Sequence, residues 1–108
     1  MIADELETSG DNVIIGNRVS IGPHVTIVTT SSPNHSRLQG IVGTTRGRVV
    51  VQDDAWIGAR VVLLPHVTVG EMSIIGAGAV VTESVPSMSV AVGVPARVVR
   101  QLEEIHAT

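Results

Sequence analysis

The sequence predicts an all-β solenoid of six-residue units, and three observations predict it. Val51, Ile57, Leu63, Val69, Ile75 and Val81 recur every six residues. A second row two positions upstream, Val49, Ala55, Val61, Val67, Ser73, Ala79 and Val85, is small or β-branched throughout. Ile57, Val69 and Ile75 are each followed directly by a glycine, Gly58, Gly70 and Gly76. Six residues fit neither the helical period nor the alternation of one long strand, so each unit reads as a short strand plus a turn. Stacked coils of such units place parallel strands about 4.8 Å apart with the main row pointing inward onto its equivalents. The glycines then turn corners where a Cβ would clash or where φ must be positive.

Taken in order, residues 1–12 form a short acidic lead-in with little pattern. From Val13 the period is present: Val13, Val19 and Val25 belong to the small row, and Ile15, Ile21 and Ile27 to the main row. Asn17, Arg18, Pro23 and His24 are ordinary turn residues between them. Residues 28–48 break the pattern with Ser, Thr, Pro, Asn and Gly, yet Ile27 and Val51 lie 24 residues apart, a whole number of units. This is a loop thrown out of a coil that keeps its phase, and long loops on rigid scaffolds commonly carry function. The solenoid spans 13–94, with the repeat fading near Val85-Pro86. Over 95–108, Val98, Val99, Leu102 and Ile105 recur at helical spacing after Pro95, which predicts a C-terminal helix capping the open end.

Composition narrows the function classes. Hydrophobic residues make up 44% of the 108 residues while aromatics make up 1%, so the core is aliphatic, as narrow coils require. A net charge of −3 with only seven basic residues argues against sequence-blind nucleic-acid binding, which needs a cationic surplus. The absence of cysteine excludes disulfides and thiolate metal sites. The start of the chain lacks the basic and apolar regions of a signal peptide, and no apolar run approaches the ~18 residues of a membrane span, so a cytoplasmic location away from membranes is expected.

These rows, with Asp54-Ala-Trp-Ile-Gly-Ala59, Ile75-Gly-Ala-Gly-Ala-Val-Val-Thr82 and Gly93-Val-Pro-Ala-Arg-Val-Val-Arg100, resemble the hexapeptide-repeat acyltransferases. The nearest likeness is to the maltose and galactoside type of sugar O-acetyltransferase, and it covers about Val13 to Leu102. The resemblance implies a left-handed parallel β-helix with three units per coil, a homotrimer, and acetyl-CoA as co-substrate in a groove between neighbouring subunits. No metal is expected.

The thrown-out loop holds Pro33-Asn34-His35-Ser36-Arg37. In the family, a histidine two residues after a proline in a similar loop is the general base, which makes His35 the candidate here. A neutral imidazole can take the proton from an acceptor hydroxyl as that oxygen attacks a thioester. The bland alternative is a solvated loop histidine. By the same resemblance, the backbone at Ala59 would steady the oxyanion and Ala77 and Thr82 would contact the pantetheine arm. Arg97 and Arg100 would meet the nucleotide phosphates, which suit guanidinium geometry, or else line a solvated helix face. Two departures stand out: Glu83 lies where relatives often carry lysine, and the acidic lead is shorter than the relatives' usual acceptor-binding N-terminal segment. Trp56, the sole aromatic, reads equally as a site residue or a subunit contact.

The expected activity is acetyl transfer to a hydroxyl of a sugar or similar small acceptor, through a ternary complex because no cysteine or base-paired serine motif is present. Serine and antibiotic acetyltransferases use the same repeats. A catalytically silent trimeric β-helix is the alternative from another class. A γ-type carbonic anhydrase would use His24, His35 and His66 around a metal, although two of the three lie in turns outside the inner rows.

Overall fold

The computed structural model describes residues 12–103. Its strands are short, mostly two or three residues, as a unit that must turn after every inward pair demands. The chain visits three sheets in rotation. Sheet A holds β1 (Val13–Ile15), β6 (Val49–Val51) and β9 (Thr68–Val69). Sheet B holds β2 (Ser20–Ile21), β7 (Trp56–Ile57), β10 (Ile74–Ile75), β12 (Ser89–Val92) and β13 (Arg97–Gln101), and sheet C holds β3 (Thr26–Ile27), β8 (Val62–Leu63) and β11 (Val80–Val81). Parallel partners in the regular coils lie 18 residues apart: Val50 with Thr68, Trp56 with Ile74 and Val62 with Val80. Each coil therefore crosses A, B and C once.

The two rows predicted to point inward form the core. Val49, Ile57, Val61, Leu63, Val69, Ala79 and Val81 are wholly buried, and Val51, Ala55, Val67 and Ile75 nearly so. In the first coil Ile15 and Ile27 are half-buried and Ile21 is 42% exposed, because each is covered by a coil on one side only among the described residues. Ser73 and Ser89 are buried in the small row; the Ser73 hydroxyl donates to the Pro86 carbonyl at 2.6 Å, which satisfies a polar group that burial would otherwise penalise.

The corners answer the question the glycines left open. Gly22 and Gly58 have no left-handed φ; a Cβ on either would lie 2.7 Å from the backbone nitrogen of Ala59 or Ala77 in the next coil. Close approach is the reason for glycine there. The left-handed residues come two positions later: Arg18, His24, Asp54, Arg60, His66, Met72 and Gly78 form a third row with positive φ. Aspartate, histidine and glycine suit that conformation, whereas arginine and methionine accept a cost of about 1 kcal/mol or more each.

From first to second coil the offset is 36 residues, as in Val13 with Val49, so the excursion adds a coil's worth of chain without shifting register. It leaves at the corner between sheets C and A. Its limbs pair as a hairpin, β4 (Thr30–Ser31) against β5 (Thr45–Arg46), with one short helix, α1 (Gln39–Val42).

Two expectations are corrected at the other end. The repeat does not fade at Val85: it runs one coil further on a shorter offset of 16, with Val69 against Val85 and Ile75 against Ala91. Val85, counted in the small row, thus occupies the main-row stack. The corner is two residues short, and the Ser84 hydroxyl accepts the Thr68 N–H at 2.9 Å, a role the carbonyls of regular coils fill. The predicted C-terminal helix is absent: Arg97–Gln101 is strand β13, paired antiparallel with β12. An open sheet edge offers a row of unpaired N–H and C=O groups, and a segment with adjacent β-branched Val98 and Val99 fits it better than a helix with no second surface to bury. The remainder of that prediction, Ile105 included, and the acidic lead-in over 1–11 lie outside the described residues. No helix among the described residues is long and apolar enough to cross a membrane.

Candidate active site

The corner between sheets B and C stacks four turns: Pro23-His24, Ala59-Arg60, Ala77-Gly78 and the turn 93–96. Hydrogen bonds tie them along the stack, from Arg60 N to Pro23 O at 2.9 Å and from Gly78 N to Ala59 O at 2.8 Å. At the top, Val80 N donates to Gly93 O at 3.0 Å and Ala96 N to Val80 O at 2.9 Å. The bonds from Arg60 and Gly78 use the amide at the second position of each turn. The amides at the first position, Ala59 N–H and Ala77 N–H, donate to no acceptor among the described residues. Two free donors, one coil apart on the same corner, form a backbone track that side chains do not obstruct, because both residues are alanine.

Arg97 follows directly from that corner into β13, opposite Val92, and Arg100 lies opposite Val90 further along sheet B. Both are exposed. The structure therefore brings Ala59, Ala77 and Arg97 to one corner, with Arg100 within four residues of it along the capping strand. Thr82 does not join them: it sits at the far end of β11, at the corner between sheets C and A, also exposed. Its side chain borders the same sheet from the other end. Glu83 is its exposed neighbour.

His35 stands at the tip of the excursion, exposed, in a turn. The tip is held by local bonds. Ser36 N donates to Pro33 O at 3.0 Å, and Asn34 N donates to the Ser32 hydroxyl at 3.0 Å. That hydroxyl in turn donates to Gln39 Oε1 at 2.7 Å, and Gln39 Nε2 donates to Thr44 Oγ1 at 3.2 Å. Gln39 thus ties the outgoing limb to the returning one and brackets the segment carrying His35. Its role was not visible in the sequence, where glutamine in a polar loop carries no signal. Beside His35, Ser36, Arg37, Leu38 and Ile41 line an open depression. The excursion and the alanine track spring from opposite ends of the sheet C strands, a separation of about 16 Å for five extended residues.

Trp56 projects outward from sheet B between Ser20 and Ile74, 59% exposed and three residues from Ala59. Ile41, Val42 and Leu38 on the excursion, and Val94 and Val99 near the cap, are further exposed apolar side chains. His24 and His66 occupy different corners, and among the described residues no three His, Cys, Asp or Glu side chains cluster in a way that could hold a metal. At the corner between sheets A and B, the Arg18 guanidinium clasps Asp54 through two bonds, Nε to Oδ1 at 2.8 Å and Nη2 to Oδ2 at 3.1 Å. The hydrogen bond from Arg18 holds the Asp54 carboxyl below its usual range, and the same bond raises the guanidinium. Both lie far from the alanine track and read as structural.

Residues 48–83 match the family model described as bacterial transferase hexapeptide (six repeats). The galactoside O-acetyltransferase of Escherichia coli (strain K12) is 40% identical over 92 residues, which are 85% of this chain and 45% of that protein. A solved galactoside acetyltransferase in complex with coenzyme A superposes with a TM-score of 0.76 at 41% identity, covering 84% of this chain and 46% of that one. The hexapeptide-repeat acetyltransferase VCA0836 of Vibrio cholerae O1 biovar eltor, complexed with acetyl coenzyme A, gives a TM-score of 0.76 at 36% identity, covering 85% and 50%. This chain spans about half the length of the relatives it matches.

Proposed function

From the match of residues 48–83 to the hexapeptide transferase model and the likeness to a galactoside O-acetyltransferase, we propose that the chain works as an acetyl-CoA-dependent O-acetyltransferase on a hydroxyl of a sugar or similar small acceptor. The observation that carries the reading is the pair of unbonded N–H groups at Ala59 and Ala77. They lie within the matched repeats, and relatives of similar sequence bind coenzyme A or acetyl coenzyme A. A pantetheine arm carries amide carbonyls and a thioester carbonyl, the acceptors such a track lacks. Arg97 and Arg100, at the end of the track, supply cations for the nucleotide phosphates, and Thr82, at the other end of β11, is assigned to the pantetheine arm.

The reading includes a left-handed winding and a homotrimer. Exposed Trp56, Leu38, Ile41, Val42 and Val99 are apolar surface of the kind that subunits cover. Since His35 and Ala59 spring from opposite ends of sheet C, a neighbour's excursion laid along the alanine track would complete the site. In the reaction His35 accepts the acceptor's hydroxyl proton as the oxygen attacks the thioester carbonyl. The carbonyl oxygen gains negative charge and is steadied by Ala59 N–H. The intermediate collapses by breaking the carbon–sulfur bond, and the departing thiolate takes the proton back from the imidazolium. The products are the acetyl ester and CoA thiol.

The test is release of CoA thiol with a panel of sugars, serine and hydroxylated antibiotics, wild type beside His35→Ala. Acceptor-dependent release that falls by about 10²-fold or more in the variant, with acetyl-CoA binding retained, is the expected result. Undiminished release in His35→Ala would overturn the assignment of the base. Binding without release to any acceptor would favour the catalytically silent assembly instead.

A further inference from the structure

The excursion meets the coil beneath it at one unusual place. Gly47 closes the hairpin by donating its N–H to Thr29 O at 2.9 Å, and its neighbours anchor to the coils on either side. Val49 N donates to Asn12 O at 2.9 Å, and Arg48 O accepts the His66 N–H at 3.1 Å. Gly47 is buried although it sits at the root of an exposed arm. Its φ lies outside the left-handed region, so the backbone does not require glycine. The space around it does. A Cβ there would lie 2.5 Å from both Cε1 and Nδ1 of His66 and 2.6 Å from its Cγ. The imidazole of His66, itself an exposed residue, fills the space that a side chain at Gly47 would need.

His66 belongs to the row of left-handed corner residues, with φ of 74°. Because Cγ itself is within the clash, rotation of the ring about χ2 gives no relief. Only a change of χ1, which lifts the ring off the root, or a movement of the arm would make room. The root is also tied to the coils by Val28 N to Leu63 O at 2.9 Å and Arg48 Nε to Asn12 Oδ1 at 2.8 Å; above the root the arm bonds within itself, through the β4–β5 pairing and the ties through Ser32, Gln39 and Thr44. The direction in which His35 is carried is therefore set at the root.

We infer that His66 is a positioning residue for the acetyl transfer, its ring clamped on Gly47 to fix the angle at which the arm delivers His35. This rests on the assignment of His35 as the base. General-base transfer needs the imidazole nitrogen within hydrogen-bond reach of the acceptor oxygen, and a misplacement of about 1 Å costs about 10²-fold. A small tilt at the root, carried to the tip of the arm, produces a displacement of that size.

The experiment uses the full-length protein as Gly47→Ala, His66→Ala and the double variant. Three quantities are read: kcat for acceptor acetylation, the Kd for acetyl-CoA, and amide hydrogen exchange across 29–47. In Gly47→Ala the methyl strikes the ring, and kcat is expected to fall about tenfold or more while Kd for acetyl-CoA stays within about twofold. His66→Ala loosens the arm without displacing it and lowers kcat about threefold. The double variant has the methyl but no ring, and it recovers to the His66→Ala level. A merely structural glycine would give no such rescue. Hydrogen exchange across 29–47 is expected to rise in Gly47→Ala and to return toward the His66→Ala rate in the double. An unchanged kcat and exchange in Gly47→Ala, or a double variant no faster than Gly47→Ala, would overturn the clamp. If wild-type protein transfers no acetyl group, the reading of His35 fails, and the exchange rates alone still decide whether the ring fixes the arm.

Discussion

Gly58→Ala probes the close stacking on which the alanine track depends. The added Cβ would lie 2.7 Å from Ala77 N, 2.9 Å from Ile75 O and 3.0 Å from Ala77 Cα, all backbone of the next coil. Ordinary contact begins at 3.4 Å, so the coils must part by about 0.7 Å at this corner. Two hydrogen bonds resist, Gly58 N to Ile75 O and Gly78 N to Ala59 O, each at 2.8 Å. Stretching both to about 3.5 Å takes them beyond useful geometry. At about 1 kcal/mol net apiece the loss is about 2 kcal/mol, in line with overpacking elsewhere. For a domain of this size the melting temperature should fall by about 10 °C, read by circular dichroism or calorimetry. Acetyl-CoA should also bind more weakly, because Ala77 N–H moves with the displaced coil. Gly40→Ala is the control: a Cβ at Gly40, in α1, meets nothing within 4 Å, and its melting temperature should hold or rise slightly. A Gly58→Ala protein that melts within about 2 °C of wild type would refute the claim that this glycine exists for close approach.

Met72 sits at φ of 58° and is 43% exposed, so Met72→Gly should leave the melting temperature unchanged or raised. Met72→Val should lower it by several degrees, since a β-branched side chain is a worse occupant of left-handed φ; the opposite order in a thermal melt would contradict the corner assignment. The Asp54 carboxyl, depressed below its usual 3.8 by the hydrogen bond from Arg18, contributes stability above that value and loses it as pH falls through the depressed value. Asp54→Asn should therefore melt below wild type at neutral pH, with the difference shrinking below about pH 4; a difference independent of pH would exclude the ion pair as its source.

The inward rows were legible because a narrow coil asks the same thing of the same position every time. Ile57, Leu63 and Val81 meet equivalent surroundings, so their spacing survives in the sequence as a period. The phase-keeping loop was legible for the same reason, since after it Val51 must still stack on Ile15 and Leu63 on Ile27. Where one residue type suits two environments, the signal fails. Val85 satisfies the small row and the main row alike, and only the shortened corner at Ser84 reveals which it occupies. Val98 and Val99 fit one face of a helix on paper, but the open edge of β12 settles them as strand.

For the candidate site, the sequence by itself determined residue types: a histidine in a polar loop, alanines after glycines, arginines near the end of the repeat. It determined the repeat, and with it which side chains are buried. The tertiary structure alone decided which of these share a corner, because stacking joins residues 18 or 36 positions apart that have no local relation. It also decided that Ala59 and Ala77 keep their N–H groups free, a property of backbone direction that no side chain encodes. It seated His66 on Gly47, where the demand for glycine comes from a ring 19 residues away and not from the glycine's own φ.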